Sequence, residues 1–131
     1  MRRAPDVSLD IRAECHVYPS EDVEKVIRAV KNVLTNCTPE FTDNKVVTES
    51  RNIESLSKIY EQARSRAVLG VLSRVLEDNR IANSTWFYLN KQAAYAGIVS
   101  ICEEESESPL GPIKITITTN QLQSIINWLV S

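Results

Sequence analysis

Glycine is scarce in this 131-residue chain. The three present, Gly70, Gly97 and Gly111, are scattered. A Walker loop or a dinucleotide fingerprint needs several glycines within a few residues of one another, so neither phosphate cradle can be built. Histidine is scarcer, with His16 alone. General-base chemistry needs a partner within hydrogen-bond reach, and only Glu14, two residues back on the same strand face, is placed for it; His16 therefore reads as a surface histidine. No acidic pair stands out either. Asp10 and Glu14 share a strand face, but four residues of strand separate them by about 13 Å, too far to share a proton. The cysteines, Cys15, Cys37 and Cys102, are far apart and odd in number, whereas a disulfide framework or zinc ribbon needs close pairs. Three reduced thiols in a cytoplasmic protein are expected. No apolar run approaches the roughly 18 residues of a membrane span. The segment Met1-Arg2-Arg3-Ala4-Pro5-Asp6 carries charge with no apolar core of a secretory signal after it. The expectations are thus no cofactor, no metal, no membrane and no catalytic centre.

What is present is ordinary globular material. Apolar residues make up 43% and charged residues 24% of the chain, enough for one domain over residues 1–131 without a staple. The net charge is −2, from 15 basic and 17 acidic side chains. Nucleic-acid-binding domains are usually clearly basic, so the total argues against a dedicated binder, though not against a local basic patch.

Periodicity gives the element order. Residues 7–18 alternate apolar and polar, the mark of a half-buried strand. Pro19-Ser20 ends it, with Ser20 expected to cap a helix carrying Val23, Val26, Ile27, Val30, Val33 and Leu34 at helical spacing. Phe41, Val46 and Val47 flank an Asp43-Asn44 turn signal and predict a short strand or ragged hairpin. Residues 53–78 read as helix, but the apolar stripe of Leu56, Ile59, Tyr60 and Ala63 jumps by roughly 100–130° at Arg64-Ser65-Arg66, which predicts a kink or two helices. Strands are expected over 84–90, 94–102 and 113–118, with a solvated acidic loop, Glu103 to Ser108, before the last. Asn120 is expected to cap a final helix. The order β-α-β-α-β-β-β-α predicts an α+β fold, a largely antiparallel sheet with helices packed on one face.

Two surfaces stand out. Period two places Arg12, His16 and Tyr18 on the sheet face away from the helices, together with Trp86 and Tyr88 if Phe87 and Leu89 face the core, and Lys114 if Ile113 and Ile115 do. Aromatics beside cations can stack nucleobases or anchor a protein interface; a covering loop is the third reading. The expected use is a homodimer or partner interface, with RNA as the alternative. The second surface is the long helical segment, where Lys58, Gln62, Arg66 and Arg74 form a drifting stripe near Arg64 that could follow a phosphate backbone. Lys91 and Gln92, at a strand connection, either satisfy backbone or meet a ligand.

The segments Thr85-Trp86-Phe87-Tyr88-Leu89-Asn90-Lys91-Gln92-Ala93-Ala94-Tyr95 and Glu107-Ser108-Pro109-Leu110-Gly111-Pro112-Ile113 resemble those of the archaeal uncharacterised protein family numbered 0201, and the resemblance extends over nearly the whole chain. It implies a fold similar to that of the large-subunit ribosomal protein that binds 5S RNA. That family has no established activity, so an RNA-binding or ribosome-associated role is implied by fold analogy alone. The motif residues Asn90, Lys91, Gln92, Ser108, Pro109, Gly111 and Pro112 are expected to be structural, with Pro109 and Pro112 stiffening the lead-in to the last strand around a Gly111 free to take positive φ.

Overall fold

The alternation in the first strand becomes β1, Asp10–His16, in which Ile11, Ala13 and Cys15 are buried and Arg12 and His16 exposed. This computed structural model describes residues 3–131; Met1 and Arg2 of the charged N-terminal segment lie outside the described residues. The ladder of β1 is shorter than the alternation, but the burial pattern runs on through Leu9 and Val17, both buried. Helix α1, Val23–Val33, follows. Its cap is Asp22, whose side chain accepts from the Glu24 N–H at 3.0 Å, and not Ser20. A carboxylate at this position satisfies an orphan donor and complements the positive helix end.

The Asp43-Asn44 signal closes a hairpin of β2, Glu40–Thr42, and β3, Lys45–Ser50, with both turn residues at positive φ. The long helical segment divides as its apolar stripe requires. A 3₁₀ turn at Ile53–Leu56 leads into α2, Ser57–Ser65, and α3 spans Leu69–Asp78. Between them Ala67 takes φ +57°, the Val68 N–H donates to Ala63 O and the Ala67 N–H to Arg64 O. That is a Schellman stop, with alanine where glycine is usual.

Strand β4, Ser84–Leu89, is followed by a departure from expectation. Residues 94–102 do not form a strand. Lys91–Tyr95 is helix α4, because the Asn90 side chain accepts from the Ala93 N–H at 2.9 Å and caps it, and only Ile101–Cys102 pairs, as β5. Gly97 at φ +81° ends α4 with a second Schellman arrangement, Ile98 N–H to Ala93 O and Gly97 N–H to Ala94 O. Strand β6, Ile113–Thr118, and helix α5, Leu122–Val130, complete the chain. Asn120 does not cap α5. Its side-chain oxygen accepts from Asn83 at 2.9 Å, and the Gln121 N–H is taken by Thr119 Oγ1 at 3.2 Å.

The six strands pair antiparallel in the order β2-β3-β1-β6-β4-β5. The helices pack on one face, where Ile11, Phe87, Ile113, Ile115 and Ile117 meet Val30, Ile59, Leu76 and Ile125 in one core. Trp128 of α5 stacks on Tyr60 of α2, centroids 4.8 Å apart.

Candidate functional site

The other face of the sheet carries the first surface. Strand register sets out two rows across it. One runs Glu49, Arg12, Thr116, Trp86 and the next Val47, Glu14, Lys114, Tyr88. Thr85, Phe87 and Leu89 are buried on the helix side, so the half-buried Trp86 and Tyr88 point away from it. Their rings lie 4.9 Å apart at 55°, and the Lys114 ammonium sits 5.0 Å from the Trp86 centroid. Lys114 has no carboxylate within 4.0 Å among the described residues. The Tyr88 hydroxyl donates to Glu105 at 2.6 Å. Desolvation, then this bond to an anion, pushes its pKa from 10.0 up to about 12. Elsewhere on the face charge is matched: Arg12 pairs Glu49 at 2.9 Å and Lys45 pairs Glu14 at 3.7 Å. His16 meets Tyr18 edge to face at 4.4 Å.

The two motif segments bind each other. The Lys91 N–H donates to Ser108 Oγ at 3.0 Å, Ser108 Oγ donates to Gly111 O at 3.1 Å, and Gln92 Nε2 donates to Pro109 O at 3.2 Å. Gly111 takes φ +85° at the turn between Pro109 and Pro112. Lys91 itself is 3% exposed. Its ammonium donates to both oxygens of Glu21 at 2.9 and 3.0 Å, to His16 O at 2.8 Å and to Leu110 O at 2.6 Å.

The stripe expected along the long helical segment is broken. Arg64 is turned inward: it donates to Tyr60 O, Leu129 O, Trp128 O and Ser131 O and lies 3.4 Å over the Tyr60 ring, closing the last turn of α5. Arg64 and Lys91 are therefore corrected as phosphate contacts, since four internal oxygens already hold each cation. Arg74 pairs with Glu103 of the acidic loop. Lys58 and Arg66 stay at the surface with no carboxylate within 4.0 Å among the described residues.

Sequence reasoning passed over the cations of α1. Lys25, Arg28 and Lys31 are all exposed. Lys25 and Arg28 lie 5.8 and 5.9 Å from the Tyr95 ring centroid. Their spacing of three on the polar face of an amphipathic helix was the available signal. Among the described residues no group of three or more His, Cys, Asp or Glu could hold a metal ion, and no helix is long and apolar enough to cross a membrane.

Fold and surface together define a class: an α+β protein with a single antiparallel sheet, helices on one side and a half-buried aromatic and cationic cluster on the other. A family model described as RNA binding matches residues 10–119. A UPF0201 protein of Sulfurisphaera tokodaii is 40% identical over 88% of this chain and 83% of its own length. One from Thermococcus kodakarensis is 37% identical over 92% and 88%. The crystal structure of a UPF0201 protein from Methanococcus jannaschii matches with TM-score 0.73 and 28% identity, covering 93% of this chain and 99% of the other. The chain belongs to the UPF0201 family.

Proposed function

We propose that this chain is a non-catalytic, cytoplasmic RNA-binding protein whose open sheet face takes unpaired bases. The observation that carries the reading is the Trp86–Tyr88–Lys114 cluster on strands β4 and β6 of that face. Base stacking on an aromatic is worth about 1–3 kcal/mol per base and tolerates any sequence. An ammonium beside the rings supplies phosphate attraction. The description of the matching family model supports the same reading. A ribosome-associated role rests on the resemblance to the 5S-binding ribosomal protein, which is fold analogy. The test is fluorescence anisotropy with single-stranded RNA at low salt. Trp86→Ala is expected to weaken binding at least about tenfold, the lower part of the stacking range. Lys114→Ala is expected to flatten the salt dependence by roughly one phosphate contact. No binding of any single strand at low salt, or a Trp86→Ala variant that binds as wild type, overturns it.

A second reading has its own observation. Because Arg12–Glu49 and Lys45–Glu14 neutralise one another, most of the face offers little net charge to a phosphate backbone, while Arg12, His16, Tyr18, Trp86 and Tyr88 are residue types that suit a protein interface. A two-fold homodimer would bury one such surface against its copy. Trp86→Ala would then cost about 2 kcal/mol or more of association, read by sedimentation. A wild-type monomer at high micromolar concentration refutes this reading.

A further inference from the structure

We infer that the helical layer carries a second, independent RNA contact, built by α1 and α2 around the end of α4, that grips the backbone of a base-paired stretch. The inference rests on the RNA-binding reading and adds a second substrate class to it, on the side of the sheet away from Trp86.

The site is assembled by two side-chain amides. Asn32 of α1 donates to Ala94 O at 3.1 Å and Tyr95 O at 3.2 Å. Gln62 of α2 donates to Gly97 O at 2.9 Å and accepts from the Val99 N–H at 2.7 Å. The segment from Ala94 to Val99 is thereby bonded to one helix on each side. Arg28 stands one turn before Asn32, with Lys25 one turn further back. Lys58 and Arg66 stand one turn before and one turn after Gln62, on the same face. Lys25 and Arg28 border this segment at Tyr95, Lys31 flanks them on α1, and the spacing of Lys58 and Arg66 puts them on the side of α2 from which Gln62 reaches it. None of the five has a carboxylate within 4.0 Å among the described residues. In a chain of net charge −2, whose other surface cations mostly have acidic partners, this is a local excess. The exposed carboxylates on and at the start of these two helices are Asp22, Glu24, Glu54 and Glu61, one fewer than the cations.

The chemistry selects the occupant. Tyr95 is the exposed ring here, 39% exposed, and Lys25 and Arg28 already lie against it. The band thus sets five cations around a single ring, where the sheet sets one ammonium beside two rings. Cations in excess of stacking platforms favour phosphates over bases. Along α1 the cations span about 9 Å, and along α2 about 12 Å, at the helical rise. A duplex carries a phosphate every few Å of its axis, so lengths of this order meet several. An unpaired strand prefers the sheet, where its bases stack.

Two probes separate the faces: a blunt RNA hairpin with no unpaired tail, and an unstructured oligouridine. Wild type is expected to bind the hairpin with an affinity that falls steeply between about 50 mM and 200 mM salt. Lys25→Glu with Arg28→Glu, and separately Lys58→Glu with Arg66→Glu, should each weaken hairpin binding at least tenfold. Each pair should lower the slope of log affinity against log salt by about 2, one per cation. Oligouridine binding by these variants should stay within about threefold of wild type, which also reports that they are folded, and Trp86→Ala should show the opposite selectivity. Charge-reversal variants that bind the hairpin as wild type, or a wild type that binds oligouridine but not the hairpin, overturn the band and leave the sheet-face reading standing. A protein that binds neither probe loses both.

Discussion

Lys91 is held by four oxygens, two of them those of the Glu21 carboxylate, and its chemistry is decided by burial. Removing an ammonium and a carboxylate from water costs several kcal/mol per ion, repaid only by close pairing and further hydrogen bonds. Glu21, its side chain 10% exposed, supplies the pairing, and two carbonyls take the remaining protons. Lys91→Met strands the Glu21 carboxylate, so it should lower unfolding free energy by about 3–5 kcal/mol, measured by urea denaturation. Lys91→Met with Glu21→Gln should recover part of that; a single variant losing under about 1 kcal/mol would show a pair better hydrated than its burial implies. Cys15, next to this pair, gives a pH signature. Burial in the core is the main reason its thiol is pushed from 9.0 up to about 11, with Glu21 adding to the effect and Lys91 opposing it. The unfolded chain releases that proton near pH 9 while the folded chain keeps it, so the contribution is complete below pH 9 and is lost as pH rises towards 11. Cys15→Ala should flatten the alkaline limb of the stability curve over that window. An unchanged limb would mean the thiol titrates as in the unfolded chain.

Two helix stops of the same geometry use different residues. Gly97 ends α4 at φ +81°, whereas Ala67 ends α2 at φ +57°. An L-residue in the left-handed region costs about 1–2 kcal/mol, and glycine's extra chain entropy takes back roughly half of the gain. Ala67→Gly should therefore stabilise the protein by about 0.5–1 kcal/mol, seen as a raised thermal midpoint with no change in the α2–α3 angle. A destabilised Ala67→Gly would show that the Ala67 methyl makes contacts worth more than the strain. The break itself was legible, because two apolar stripes on one stretch of helix cannot both reach a core without it. So were β1, α1, β4 and β6, whose periods run unbroken over six or more residues. Helix α4 was not read, because Asn90 reads as the end of a strand over 84–90 and residues 94–102 as the next strand, whereas the Asn90 side chain caps a helix. Of the site, the outward set Arg12, Trp86, Tyr88 and Lys114 followed from period two alone. Tertiary partners hid the fate of Arg64 and Lys91: their oxygens come from α5, from Glu21 and from the turn at Leu110, contacts that spacing along the chain does not reveal.

At the scale of the whole molecule, one sheet separates two unlike surfaces. The helical side holds five cations with no carboxylate within 4.0 Å among the described residues, two of them beside Tyr95. The open side holds two mutually tilted rings, the Lys114 ammonium beside them and charges that cancel in pairs. Homodimer formation and single-strand binding, if both occur, draw on the same Trp86 and Tyr88, and a surface buried against its copy cannot stack a base. The two equilibria are then linked, and the linkage is reciprocal. A ligand that binds only the monomer at about 100 times its dissociation constant stabilises the monomer by about 2.7 kcal/mol, so the apparent dimer affinity should fall about a hundredfold for each liganded subunit. Sedimentation velocity of wild type, at a concentration where it self-associates, should show oligouridine converting the dimer into a one-to-one monomer complex. The blunt hairpin, engaged on the far side of the sheet, should leave the dimer intact and carry it as a larger species. Dimers that survive saturating oligouridine would remove the shared face, and the base-stacking role would have to leave Trp86.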